Sequence, residues 1–477
     1  MKTWTFVAIL LCLFKPTLTT HGKDALVCQN TADSANPEAK KGAVVDEPRV
    51  TSAPNTSQGP GGTYQPDVAP SDSKVMLVEP EGGQEEQCSG PTPPASLQLL
   101  GKAIANFGID TFKKVLTETK RPNVVISPLS IVLGLAQLAL GSANRTEREL
   151  LRALHFDPLH CSHDALHTAV NSFSHTVLCV ASTLYIQQGF HLKPGFLKEM
   201  EQFYKSIPQT LSGVSANDTR KVNSWVEKMT GGKIKTFLKN VPGNIDLLLV
   251  NAVNFKGLWQ VQFDPRATIS EPFYLQDGSL VHIPMMQHPK YPVSIFHHEE
   301  LQSEVIKMTF KQNISFIVVK PMVNQKLDAV VSRVNISDIL RYVKARPMMV
   351  KLPKLNFNFG LDLKVALRSL GLDSLFMSPD LSRMSSRPLA VSAVYHKATM
   401  EVTEEGVEAA ASTGVVINRS LLQCIINRPF FFLIQDDRLG IPLFLGTVKD
   451  PQPGLRKEWK EKMTLDQMME VGKPSPK

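Results

Sequence analysis

The order of its periodicities constrains this fold most. Helical spacing dominates from about Leu97 to Lys239, and strand-like runs such as DLLLVNAVNF, SFIVVKP and MMVKLPKL dominate after it. That order lacks the strict alternation of strand and helix that builds a parallel nucleotide-binding sheet, so the expected class is α+β. Leu100, Ile104, Phe107 and Phe112 share roughly one helical face and mark where the globular body starts. Upstream, from about His21 to Ser96, the chain is rich in Pro, Gly, Ser, Gln and acids, and Tyr64 is its only aromatic residue. Such a stretch cannot bury enough apolar area to order itself. The 477 residues therefore divide into a leader (1–20), a flexible low-complexity extension (21–96), a globular domain (97–451) and a polar tail (452–477).

The first residues, MKTWTFVAILLCLFKPTLTT, carry a lysine, an apolar run from Trp4 to Phe14 and small residues near Thr20. This is the pattern of a secretory signal peptide, with removal expected around Thr20 and an extracellular, plasma-type destination for the rest. Secretion permits disulfides and glycans. Without Cys12, Cys28, Cys88, Cys161, Cys179 and Cys424 remain, an odd set that leaves at least one thiol unpaired within the chain. Cys179, in an apolar run, is expected to be a buried thiol. The sequons at Asn55, Asn144, Asn217, Asn313 and Asn335 are expected glycan sites on surface segments. Asn418 is also a sequon, but a glycan there would crowd Arg419, so it is expected bare or only partly occupied.

Other function classes fall away on composition and motif. The net charge of +8, from 52 basic and 44 acidic residues, comes without a dense Lys/Arg run, so a dispersed, solvated surface and no nucleic-acid partner are expected. Beyond the leader no apolar run approaches the ~20 residues of a membrane span. The chain has no G-x-S-x-G elbow, its GGKI lacks the Ser or Thr of a phosphate-binding loop, and HHEEL at His297 lacks the second histidine of a zincin helix. Neither an enzyme nor a cofactor or metal is expected.

The segment EEGVEAAASTGVVINRS, Glu404 to Ser420, joins two chemistries. At period two, Val407, Ala409, Ala411, Thr413, Val415 and Ile417 form one face and Glu408, Ala410, Ser412, Gly414 and Val416 the other. Nothing bulky demands burial, so the segment fits an exposed loop that later enters a sheet. Arg419 before Ser420 suits the carboxylate-lined pocket of a trypsin-like protease. Read alone, the segment is equally well a linker that contains an arginine.

GVEAAASTG resembles the hinge of a serpin reactive loop, and further motifs of that family follow the family's order. They are NVVISPLSIVLGLAQLALGSANRT, VNSWVEKMTGGKI, NAVNFKGLWQVQFDP, VKLPKLNF, and NRPFFFLI with PLFLGTV. The resemblance spans about Leu97 to Pro451. It implies the serpin fold: three β-sheets, about nine helices, an exposed reactive-centre loop and a metastable native state.

It also implies roles. Arg419–Ser420 is the reactive bond, and Glu404, Glu405, Gly406, Val407, Glu408, Ala409, Ala410 and Ala411 form the hinge. Val407 stands where the family usually has Thr or Ser. Many inhibitory members count fifteen residues from the hinge glycine to the scissile position, which falls on Ser420 here, so cleavage after Ser420 by another protease class stays open. Ser127, Ser130, Asn251 and His396 match the shutter beneath the central sheet, and Trp225 resembles the breach tryptophan at its top. Cys88 pairs with Cys161 on the same analogy.

The implied function is secreted, irreversible inhibition of trypsin-like serine proteases by a monomer. Plasmin, or its zymogen plasminogen, is the expected partner and fibrinolysis the expected setting. Thrombin or another coagulation protease is one alternative; a non-inhibitory carrier, chaperone or peptide precursor is another. A glutamine of the extension, Gln84 or Gln87, is the implied transglutaminase substrate for crosslinking to fibrin. Lys477 offers an ammonium beside a terminal carboxylate, the pairing that lysine-binding kringle pockets take, with Lys473, Lys462 and Lys460 as added contacts; a frayed terminus is the competing reading.

Overall fold

A computed structural model describes residues 91–173, 178–406 and 422–452, all within one compact unit. The first half runs α1 (Pro94–Glu118), β1 (Asn123–Ile126), α2 (Pro128–Gly141), α3 (Asn144–Ala153), α4 (Ser162–Asn171), β2 (Leu178–Gln187), α5 (Pro194–Tyr204), β3 (Gln209–Leu211), α6 (Ser215–Met229) and β4 (Leu247–Lys256). There follow β5 (Ile269–Tyr274), β6 (Leu280–His298), β7 (Ser303–Thr309), β8 (Ile314–Pro321), α7 (Leu327–Arg333), α8 (Ile336–Ile339), β9 (Arg346–Pro353), β10 (Leu355–Asp362), α9 (Lys364–Arg368), α10 (Asp373–Met377), β11 (Val391–Val402), β12 (Gln423–Ile425), β13 (Phe430–Asp436) and β14 (Ile441–Val448).

Leu100, Ile104, Phe107 and Phe112 are all fully buried along α1, as their spacing requires. The strands form two sheets. The five-stranded one has the order β10-β11-β4-β2-β3. The nine-stranded one runs β1-β14-β13-β8-β7-β6-β9-β12, with β5 also on β6. The expected third sheet is the part built on β5, β9, β12 and the first half of β6. Strand β6 is 19 residues long, shifts register between His288 and Tyr291, and carries one pairing set into the next. Ten α-helices are present among the described residues, because α8, α9 and α10 are single short turns of four or five residues.

The five-stranded sheet is covered on both faces. Every residue of α2 is buried, as an all-round apolar helix must be, and it lies under β2 and β4. On the opposite face Val222, Val226 and Met229 of α6 pack with Tyr185, Leu248, Val250, Ala252 and Ala393. Strand β4 thus has core on both sides, which explains its nearly continuous apolar run.

Candidate functional site: a sheet seam and the hinge at its end

In the five-stranded sheet β11 pairs with β10 antiparallel, β2 pairs with β4 antiparallel, and β4 pairs with β11 in parallel, from Val391 beside Leu247 to Glu401 beside Lys256. This parallel seam divides two antiparallel halves. His396 and Asn251 face each other across it in register. His396 Nδ1 lies 2.7 Å from Asn251 Oδ1, and its Nε2 accepts the Ser127 backbone N–H at 3.2 Å. Asn251 Oδ1 also accepts from Ser130 Oγ, its Nδ2 donates to the Ser130 carbonyl, and the Ser130 N–H reaches Ser127 Oγ at 3.4 Å as the N-cap bond of α2.

The pattern fixes the tautomer. Only a neutral ring with its proton on Nδ1 meets both partners, since a proton on Nε2 would oppose the Ser127 N–H. Burial accordingly holds the His396 pKa down at about 3. The four residues are 1% exposed or less, so the network is a complete polar knot between α2 and the seam.

At the far end of β11 the chain turns into Thr403, Glu404, Glu405 and Gly406. Trp259, just past β4, anchors this turn: its Nε1 donates to the Thr403 carbonyl at 2.8 Å and its backbone N–H to the Glu405 carbonyl at 2.9 Å. The Phe263 N–H meets the Glu404 carbonyl at 3.1 Å, and Gly406 bridges Trp259 in parallel fashion. Trp259 is itself immobilised, fully buried and stacked on Phe310 at 4.2 Å between ring centroids. A Cβ on Gly406 would lie 2.8 Å from the Trp259 carbonyl oxygen and 2.9 Å from Gln262 Cα, so backbone contact requires glycine there.

The two acids are held separately. Glu404, with its side chain 8% exposed, pairs with Lys354 of the β9–β10 turn at 2.9 Å and accepts from Thr268 Oγ1 at 2.7 Å. Burial pushes its carboxyl up, but these two bonds outweigh it and leave the group below the ordinary glutamate range. Glu405 pairs with Lys256, the last residue of β4, at 2.7 Å in a more exposed setting.

The structure therefore brings Ser127, Ser130, Asn251 and His396 together and places Glu404, Glu405 and Gly406 at the seam's end. Trp225 requires correction. It sits on α6 and packs edge-on against Tyr185 of β2, whose register partner is Leu248, near the end of the sheet remote from the hinge. Trp259 holds the position at the sheet top. Its signal was present in NAVNFKGLWQ: a fully buried strand running straight into a tryptophan.

The expectation of a buried thiol at Cys179 is also overturned. Cys179 is half-buried at the start of β2 and disulfide-bonded, as is Cys161, and Cys424 is the free, buried cysteine among the described residues. Asn144, Asn217, Asn313 and Asn335 are all exposed. Val407, Glu408, Ala409, Ala410, Ala411, Arg419, Ser420, Cys88, Asn55, Asn418, Gln84, Gln87, Lys460, Lys462, Lys473 and Lys477 lie outside the described residues.

The chain belongs to the serpin family: the family model described as "Serpin (serine protease inhibitor)" matches residues 102–451. It is 37% identical over 409 residues to alpha-2-antiplasmin of Bos taurus, covering 85% of this chain and 80% of that one. Pigment epithelium-derived factor of Homo sapiens is 30% identical over 393 residues, 80% of this chain and 92% of that protein. In fold it resembles mouse protein-Z dependent protease inhibitor, with a TM-score of 0.70 at 24% identity over 76% of this chain and 100% of that one. Uncleaved ovalbumin gives 0.68 at 24% identity, over 74% and 100%.

Proposed function

We propose that this chain is a secreted suicide-substrate inhibitor of trypsin-like serine proteases, cleaved at Arg419–Ser420, with plasmin as its principal target. The observation that carries the reading is the parallel β4–β11 seam. A segment that leaves the end of β11 and doubles back would lie antiparallel to both neighbours, turning the seam into two antiparallel ladders. One ladder is given up and two are made, each bond contributing about 0.5–1.5 kcal/mol net.

The residues after Gly406 suit that slot. Val407, Ala409 and Ala411 are small or β-branched on one face, and no proline or charge interrupts that face before Ile417. The protease's serine attacks the Arg419 carbonyl, Ser420 leaves as the new N-terminus, and insertion outruns hydrolysis of the ester. The Asn251–His396 contact spans the strands that must separate, so opening the seam breaks it. Glu404–Lys354 and the Trp259 bonds hold the hinge at the entrance. The 37% identity to alpha-2-antiplasmin favours plasmin over thrombin and favours inhibition over a carrier role, and on the same ground the Cys88–Cys161 bridge, crosslinking of the extension and kringle contact by Lys477 belong to this reading.

Mixing the protein with plasmin, thrombin and trypsin should give SDS-stable complexes, formed fastest with plasmin. Val407→Arg, which puts a charge on the entering face, should turn complex into cleaved product. Persistence of full complex in that variant would remove the hinge assignment.

A further inference from the structure

Two grooves meet beside Pro451, close to the last described residue. One, of about 760 Å³, lies against the hinge and is lined by Gln452 together with Lys354, Glu401 and Glu404. The other, of about 280 Å³, runs along β10, and the charged group in its lining is Arg121, held over the Phe359 ring at 4.9 Å. Residues 453–477 thus continue from the wall of the hinge groove. Just past Gln452 the chain reads PGLRKEWKEKM, in which Leu455, Trp459 and Met463 recur at every fourth position and Arg456, Lys457, Lys460 and Lys462 outnumber Glu458 and Glu461. Charge selects between the two grooves. Arg121 repels such a segment, whereas the hinge groove attracts it. Glu404 is committed to Lys354 at 2.9 Å, but the half-buried Glu401 makes no ion pair among the described residues, and its register neighbour Lys256 is taken by Glu405. The exposed Pro265 and half-buried Pro284 add flat apolar faces on which an indole can lie.

We propose that residues 453–463 dock in the hinge groove of their own chain, a basic side chain seated on Glu401 and Trp459 laid against Pro265 and Pro284. The tether favours this occupant over any other. Lys457 is five residues past Gln452, at most about 18 Å of chain, so it cannot leave the neighbourhood of the groove. A segment held so close meets its site at an effective concentration of about millimolar, which a second copy of the protein would have to exceed. Lys473 and Lys477 lie further along and stay free for other contacts. A docked segment would press on the turn from Thr403 to Gly406, which must move if the loop enters the sheet, and would brace it. That last consequence rests on the inhibitor reading; the docking does not.

The test is zero-length carbodiimide coupling of the full-length protein, read by peptide mapping, with the Glu404–Lys354 pair as a standard inside the same digest. In the monomer, Glu401 should couple to Lys457, Lys460 or Lys462. Arg456→Glu/Trp459→Ala keeps every lysine yet should lower that coupling by about fivefold or more, leaving Glu404–Lys354 unchanged. A second readout leaves the groove untouched: the emission lost on Trp459→Phe should be shielded from acrylamide relative to the same residue in a free peptide of residues 453–463. Several results would each overturn the proposal. They are a missing Glu401 link beside an intact Glu404–Lys354 link, a link confined to dimers, and coupling undiminished in the double variant. Tail lysines that couple equally to Glu199 of α5, an exposed acid lining neither groove, or a Trp459 quenched as readily as the free peptide would do the same.

Discussion

At the scale of single residues, His396 carries the clearest physical consequence. The ring is neutral by construction, with its pKa at about 3, whereas the unfolded chain titrates near 6.5. Above pH 6.5 the full contribution is present. As the pH falls from 6.5 toward 3 the unfolded state takes up a proton the folded state refuses, and stability drops by about 1.4 kcal/mol per pH unit, or about 2 kcal/mol by pH 5. His163, lowered to about 4 by burial, adds a loss in an overlapping window, so the comparison of interest is the difference between wild type and His396→Gln. Urea unfolding at pH 7 and pH 5 should show a smaller pH-dependent loss in the variant; identical losses would contradict the assignment. The sequence made these residue types readable as a group only through family resemblance. Their separations in the chain, 3, 121 and 145 residues, carry no periodic signal, and the contacts arise from strand register. The reading of Trp225 has the same root, because Trp225 packs on β2 while Trp259 follows β4, and only register tells which end of the sheet each lies near.

Among the elements, the hinge turn is the one whose contacts can be exchanged cleanly. Glu404→Lys would set two cations against each other, Lys354 being 38% exposed, and take away the Thr268 acceptor, at a cost of about 1–2 kcal/mol to the docked hinge. The reversed pair, Glu404→Lys with Lys354→Glu, should recover part of that loss. Denaturant titration of the two single variants and the double closes the cycle; additivity would show that the pair does not interact. Strand β4 was legible because DLLLVNAVNF is buried on both faces and so reads as one apolar run. Strands β1 and β2 were not, lying among helices in the first half of the chain, where helical periodicity dominates the reading. The fused sheets were equally hidden, since local pattern cannot tell whether a run of β-formers ends or continues through a register shift into a second set of partners.

For the molecule as a whole, the proposed insertion predicts a more stable cleaved form. Nicking after Arg419 should raise the thermal midpoint by about 10–20 °C, given roughly one extra ladder of bonds; calorimetry showing no rise would end the inhibitor reading. The same long-range construction has a consequence for biosynthesis. Strand β1 is completed by β14, and the Asn123 side chain accepts from the backbone N–H groups of Lys449 and Asp450, 326 and 327 residues further along. At a synthesis rate of ~5–20 residues per second the early strand waits on the order of half a minute for its partner. Helix α1, which packs against β14, spends that interval without the strand it is built to cover. A nascent chain of this design should therefore keep the apolar face of α1 uncovered until β14 has left the ribosome.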